Sequence, residues 1–538
     1  MTYPNDHASL YVRLGASNRN SPARVACLGA TALCAVVALL GLSWLSQPPS
    51  HHSSVPILPT DEAKAAPAAR VVRTDEAKAA LAARVVRTDD AKSAPADRVV
   101  SLPGAPPLED VHYAGHVTVD ASAGNKLFYW FIESSRVGHG KEAPHDVPLV
   151  IWLNGGPGAS SLTGLLVEGI GPLLLQPNGE TLKPMESSWH HLAHVIAWEQ
   201  PVGTGFATTA TGSYVTDMTQ MATQLLEGMR QFYLLHPEYR TSPVSVTGES
   251  FAGKYIPHFC AHVHGLNKRA AALGEEWPLP LAGLAVGNGV LKPLLQFGLI
   301  PQVAEALGYT DAATRAAAAS SLATCKQRLR AIAEAPAAAR TPAAWKFAYD
   351  PCQNVESNIY GDAVPFVYDV REPTDKFGAV TDYMTKYLNQ PEVRAALHVG
   401  ETVWQQADGG QPGNLVSDNL WRDQIDDLPE GMLGLLFDHY RVLFYAGQYD
   451  GSMCNQLGVS RTIDTVRWAG SATYANSSVC TWKVGGVPAG VLRAAGRFGF
   501  LVVLNSGHLV PMNQPVHASE MIRYLIAPTK PSFEGMCG

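Results

Sequence analysis

The pattern of apolar and polar positions divides the chain into three stretches. Val25–Leu45 holds no charged residue and is long enough to cross a bilayer as one helix. Arg13, Arg19 and Arg24 precede it, and no Lys or Arg follows before Lys64. That asymmetry puts residues 1–24 in the cytoplasm and everything downstream on the far side of the membrane. The span reads as an uncleaved signal anchor. A cleaved signal peptide is the alternative: Gly41-Leu42-Ser43 could be cut, although Trp44-Leu45 carries the apolar run past it. Residues 46–100 have a different pattern. Gln47-Pro48-Pro49 and Ser50-His51-His52-Ser53-Ser54 are linker material, after which a 14-residue unit begins at Thr60, Thr74 and Thr88. Its apolar residues fall in Val-Val pairs rather than at heptad spacing, and Pro67 and Pro95 interrupt any continuous helix. Three Ala-rich copies cannot bury a core, so a flexible, partly helical stalk is expected.

From residue 101 the pattern becomes that of a folded domain. Tyr113–Val119 and Lys126–Ile132 read as strands. Val147–Leu153, Pro243–Thr247, Leu284–Val286, Arg441–Tyr445 and Phe500–Leu504 are short and mostly apolar, as strands buried on both faces are. Strands and helices alternate as far as Asn288. This predicts an α/β domain over 101–538, with a mostly parallel central sheet and helices on both faces. From about 291 to 380 the alternation breaks. Ala313–Ala339 is Ala-rich and helical in composition, so this stretch reads as a helical insertion.

Candidate chemistry sits at the strand exits. Gly248-Glu249-Ser250-Phe251-Ala252-Gly253 follows a strand and opens a helix. A serine on such a turn has its hydroxyl thrown clear, with the first helical N–H groups facing the attacked carbonyl. Ala252 stands where the generic pattern has its second glycine. Asp450 lies in the loop after Arg441–Tyr445, and His508 follows Phe500–Leu504. Singly, Asp450 is a turn former and His508 a strand-end histidine. Together they give the order Ser…Asp…His, which is that of the α/β-hydrolase arrangement. Asn154-Gly155-Gly156-Pro157-Gly158 ends another strand, and its glycines let backbone amides approach a substrate.

These motifs recur in fixed order with others: Ser101-Leu102-Pro103-Gly104, Tyr113–Val119, Gln200-Pro201-Val202-Gly203-Thr204-Gly205-Phe206, Tyr387-Leu388-Asn389 and Gly507-His508-Leu509-Val510-Pro511. In them the chain resembles the serine carboxypeptidases, the family of yeast vacuolar carboxypeptidase and lysosomal cathepsin A. The resemblance implies an α/β-hydrolase fold with a helical lid and no cofactor. It makes Ser250 the nucleophile, His508 the general base and Asp450 its orienting acid. The amides of Gly156 and Phe251 would form the oxyanion hole. Asn154, Gly155, Glu168 and Glu249 would receive the substrate's C-terminal carboxylate, with Glu168 on the helix after the glycine loop. Crowded carboxyls cannot both ionise cheaply, so one would keep its proton and donate it, favouring peptide binding in acid. The substrates implied are peptide or protein C-termini. Some plant relatives are acyltransferases on the same scaffold, and a non-catalytic binding or protective protein is a third possibility that the intact triad opposes. The chain departs from the family pattern at Ala159, where a cysteine is common, and at Glu199, where an aspartate is usual. Spacing after Asp450 also carries Cys454 over only weakly as a pocket cysteine. Cys325 and Cys352, both in the presumed lid, are the preferred disulfide.

Composition changes little. A net charge of −7 over 538 residues, with no basic stripe, argues against nucleic acid. Neither a CxxC pair nor an HExxH string suggests a metal. Eight cysteines are too few for a disulfide scaffold but fit a few bridges in a secretory-pathway protein. Asn476-Ser477-Ser478 is a glycosylation sequon. The expected location is therefore the secretory pathway, as a single-pass membrane protein with a lumenal or extracellular catalytic domain. The alternative is a secreted, vacuolar or lysosomal protein after signal cleavage.

Overall fold

The computed structural model describes residues 95–137, 142–274, 279–406, 415–527 and 532–537. The expected anchor at Val25–Leu45 and the repeats up to residue 94 lie outside the described residues. Among the described residues, no helix is long and apolar enough to cross a membrane.

An eleven-stranded sheet organises the domain, in the order β1-β2-β3-β7-β4-β8-β9-β10-β13-β12-β11. Six central strands run parallel: β7 (His194–Glu199), β4 (Leu149–Leu153), β8 (Val244–Glu249), β9 (Leu281–Gly287), β10 (Arg441–Gly447) and β13 (Phe498–Val503). Both margins are antiparallel. One is made of β1 (Arg98–Val99), β2 (His112–Asp120) and β3 (Asn125–Ile132), the other of β12 (Val487–Ala495) and β11 (Cys480–Val484). A separate ribbon pairs β5 (Leu173–Leu175) with β6 (Leu182–Pro184). Hairpins join β2 to β3, β11 to β12 and β12 to β13, and all three pairs are antiparallel.

The apolar runs are explained by a core on each face. Leu149, Ile151 and Leu153 of β4 join one core, while Val150 and Trp152 join the other. On β10, Val442 and Phe444 face the first and Leu443 and Tyr445 the second. Alternate side chains point to opposite faces of a strand, so one covered on both sides needs apolar residues throughout. Helices Met218–Leu235 and Ala252–Leu273 contribute to the first core, and Pro515–Ile526 to the second.

Two expected boundaries move. The tail of the third repeat, assigned to the stalk through residue 100, belongs to the fold from Asp97. Arg98–Val99 pairs with β2, Val99 is buried, and the Asp97 carboxylate accepts from Tyr129 Oη and bonds His236 Nε2. The lid insertion is helical from Pro293, and its two long helices, Ala312–Glu334 and Pro342–Tyr360, are joined by the expected Cys325–Cys352 disulfide. The next helix, Phe377–Leu388, returns to the second core, and helices continue to His439 before β10 resumes the sheet. A second disulfide, Cys480–Cys537, ties β11 to the C-terminal segment.

Candidate active site

β8 ends at Glu249 and the following helix begins at Ala252, leaving Ser250 on the turn with φ +63°. A non-glycine residue is seldom held at positive φ, and such strain persists only where the surroundings impose it. Here they do. Ser250 N donates to Gly287 O, and Val290 N donates to Ser250 O, both at 2.9 Å. The turn's need for small residues falls on Gly248 and Gly253. A Cβ on Gly248 would lie 2.1 Å from Leu153 O, and one on Gly253 would lie 2.7 Å from the Val290 backbone. Ala252 fits, fully buried, so the departure from a second glycine costs nothing here.

Asp450 and His508 meet as the sequence order implies. His508 Nδ1 lies 2.7 Å from Asp450 Oδ2, with both side chains buried. The same Oδ2 accepts from Asn288 Nδ2 at 2.7 Å, and Oδ1 accepts from Ser452 N at 2.9 Å and Ser452 Oγ at 2.6 Å. Four donors satisfy this buried carboxylate and fix its position. Asn288 is itself held at φ +42°, with its side-chain oxygen accepting from Gly447 N. Asn288 and Ser452 were not singled out from sequence as site residues. The Gly287-Asn288-Gly289 string at a strand exit was the available signal.

The glycine loop lies directly on the Ser250 turn. A Cβ on Gly155 would lie 2.4 Å from Phe251 N and 2.7 Å from Ser250 Cβ. Gly156 is exposed, with φ +102°, and Phe251 N sits at the helix start. Among the described residues neither amide donates to a protein acceptor. Two free amides beside a serine suit a developing oxyanion.

Glu168 and Glu249 are also brought together. Asn154 Nδ2 donates to Glu168 Oε1 at 2.9 Å and to Glu249 Oε1 at 3.1 Å. Asn154 Oδ1 accepts from Trp152 Nε1 and Gly164 N, which fixes the amide's orientation. Both Nδ2 hydrogens are therefore committed to the two carboxyls. No N–H or hydroxyl donor reaches either Oε2 among the described residues, and the two carboxyls hydrogen-bond to each other, which takes one proton held between them. Burial, and for Glu249 the neighbouring Glu168 charge, pushes both groups above the usual carboxylate range. Glu168 is not on a helix as expected. The helix Leu162–Leu166 ends at Val167, whose φ of −124° leaves the helical range, and Glu168 follows in the bend before Gly169. Glu199, at the other departure from the family pattern, is also buried. It accepts from Ser160 Oγ at 2.5 Å, and burial lifts it to about 7.

The lid closes over this floor. Gly451 N donates to Val367 O and Val370 N to Tyr449 O, stitching the lid segment to the acid loop. His508 N donates to Tyr368 O at 2.6 Å, and the two rings meet edge-on at 4.6 Å. A cavity of about 270 Å³ remains beside Ser250, lined in part by Gly156, Phe251, Tyr368 and Cys454. Cys454 is unbridged and buried, and thus does line the pocket. Asn476 lies away from this cavity on an exposed helix end.

A family model described as serine carboxypeptidase matches residues 103–528. Serine carboxypeptidase-like 48 of Arabidopsis thaliana is 32% identical, the match covering 78% of this chain and 79% of that protein. Serine carboxypeptidase 3 of Hordeum vulgare is 31% identical, covering 79% and 80%. Probable serine carboxypeptidase CPVL of Homo sapiens is 31% identical, covering 78% and 84%. Among solved structures, the prohormone-processing carboxypeptidase Kex1(delta)p of Saccharomyces cerevisiae shares the fold. Its TM-score is 0.67 at 22% identity, over 82% of this chain and 99% of that one. With the family's motifs on the strand exits and the match spanning nearly all of the folded domain, this chain belongs to the serine carboxypeptidase family.

Proposed function

We propose that the protein removes C-terminal residues from peptides through an acyl-enzyme, with best binding in acid. Ser250 Oγ attacks the last peptide carbonyl while its proton passes to His508 Nε2. Asp450, fixed by Asn288 and Ser452, holds Nδ1 and so sets the imidazole's orientation. The amides of Gly156 and Phe251 receive the oxyanion. Collapse breaks the C–N bond, and the leaving amine takes the proton from His508. Water then attacks the ester with His508 as base again, restoring the serine.

The observation that carries this reading is the buried pair Glu168 and Glu249 beside the nucleophile. A general esterase has no need of two acids there. A pair that retains a proton donates to a substrate's terminal carboxylate, whereas an ionised pair would repel it. Asn154 clamps the two carboxyls, so its contribution is first to position them, and the Gly155 amide is a further donor. In the test, active-site labelling by a radiolabelled fluorophosphonate accompanies hydrolysis of blocked dipeptides. Ser250→Ala should lose both labelling and most turnover while its thermal melting stays cooperative. Near-normal turnover in pure variant protein would refute the nucleophile.

The same reading extends to location. The uncharged Val25–Leu45 span with arginines before it supports an integral protein of the secretory pathway with a lumenal or extracellular domain. Alkaline carbonate extraction should leave the activity with the membranes. Its release, with a mature N-terminus beyond Ser43, would establish signal cleavage.

A further inference from the structure

The cavity beside Ser250 contains an acid used neither by the triad nor by the carboxylate pair. Glu356 lies near the end of the lid helix Pro342–Tyr360 and lines the cavity. Its Oε1 accepts from Met453 N at 2.7 Å. Oε2 has no protein partner among the described residues, and the side chain is partly open. No salt bridge among the described residues involves it. The walls beside it combine Phe297, Tyr349, Tyr368 and Met453 with the polar side chains of Gln353 and Gln424. An anionic group with no counter-ion of its own, flanked by amide oxygens and aromatic rings, fits a side chain carrying a cation.

Position decides which substrate residue enters. Asn154, Glu168 and Glu249 do not line this cavity. If the substrate's terminal carboxylate binds at those residues, the leaving residue sits on their side of Ser250. The separate cavity then receives the side chain of the penultimate residue, whose carbonyl acylates Ser250. This step rests on the carboxypeptidase reading above.

The geometry points to Glu356 as a specificity determinant that selects Lys or Arg at the penultimate position. The aliphatic stem lies along the aromatic walls and the cation reaches Oε2. About 270 Å³ accommodates one such side chain.

The charge on Glu356 depends on its neighbours. Tyr349 and Tyr360 on its own helix, Tyr368 on the following segment and Cys454 on the acid loop are all raised by burial, and so remain neutral near pH 7. Asp450 faces it from the acid loop. Burial first, and the Asp450 charge second, lift Glu356 to about 7. Its ionisation between about pH 6 and 8 therefore strengthens the preference for a cation.

The test uses N-blocked dipeptides with Arg, Lys, Leu or Glu at the acylating position and one common leaving residue. The readout is the ratio of kcat/KM for Arg over Leu. This ratio cancels both the folded fraction and any common loss at the carboxylate site. Wild type should favour Arg and Lys, increasingly from pH 5.5 to 8. Glu356→Gln keeps an acceptor for Met453 N, and should lower the ratio about tenfold or more at pH 7.5 and flatten its pH dependence. Glu356→Lys should shift the preference toward Glu. Cleavage of the Leu dipeptide with no basic preference, or an unchanged ratio in Glu356→Gln, would overturn the proposal. So would a Glu356 effect that follows the leaving residue in a second series. Failure of wild type to cleave any of the dipeptides would instead remove the carboxypeptidase reading, and this proposal with it.

Discussion

Glu168 and Glu249 illustrate how much of the site's behaviour resides in single groups. Each carboxyl accepts at Oε1 from Asn154, and the two carboxyls hydrogen-bond to each other. Burial and, for Glu249, the adjacent Glu168 charge raise both. While the pair keeps a proton it is a donor. Once the proton is lost it is an anion facing another anion. KM for a free-acid peptide should therefore rise with pH above the acidic range, by roughly tenfold or more, the scale of one lost charge-assisted hydrogen bond. The corresponding peptide amide should not show that rise. In the double variant Glu168→Gln with Glu249→Gln, an oxygen remains for Asn154 and an N–H for the substrate, and nothing titrates, so the KM profile should flatten. A parallel weakening of acid and amide substrates would show that the pair is not the carboxylate sensor.

At the scale of elements, legibility followed burial. β4, β10 and β13 were readable because both faces are covered and nearly every position is apolar, and β8 because its Val-Ser-Val-Thr run is β-branched and leads into the glycine turn. β11 and β12 were not read. They form the sheet margin, where Val487 and Val491 are exposed, and only Gly485-Gly486 between them hints at a hairpin. β1 is two residues long and hidden in a repeat that otherwise reads as stalk. The Asp450–His508 contact was legible because the residue types, the strand exits and the chain order all agreed. Asn288 was not, because its partner Asp450 lies 162 residues away and the flanking glycines mark a turn at the strand exit rather than that contact. Glu168 was read as a site residue but placed on a helix, since spacing from the glycine loop says nothing about where a short helix stops. The lid's disulfide was anticipated only through the family resemblance, and its geometry then joins the two longest lid helices.

For the molecule as a whole, the buried ionisable groups predict how stability varies with pH. Glu168, Glu199 and Glu249 are all at most 2% exposed and all raised, Glu199 to about 7. A carboxyl whose pKa is higher folded than unfolded binds its proton more tightly in the native state. Its contribution is complete below the ordinary value of 4.5 and is lost as pH rises through the raised value. His112 and His194 act the other way. Burial pushes them to about 3 and about 4, so their contribution is present above 6.5 and lost as pH falls. The two sets oppose each other between about 4.5 and 6.5. Above pH 7 the unfolded histidines are already neutral, so the carboxyls dominate. Lys254, pushed down to about 8 by burial, starts to compensate only beyond that pH. The melting temperature of the folded domain should therefore fall between pH 7 and pH 8, and calorimetry across that window measures it directly. Glu199→Gln removes one titrating group while keeping an acceptor for Ser160 Oγ, and should make the decline shallower. A melting temperature that is flat or rising from pH 7 to 8 would mean that these carboxyls are already ionised in the native protein. In that case the proton shared by Glu168 and Glu249, on which the proposed recognition of a substrate carboxylate depends, would be absent as well.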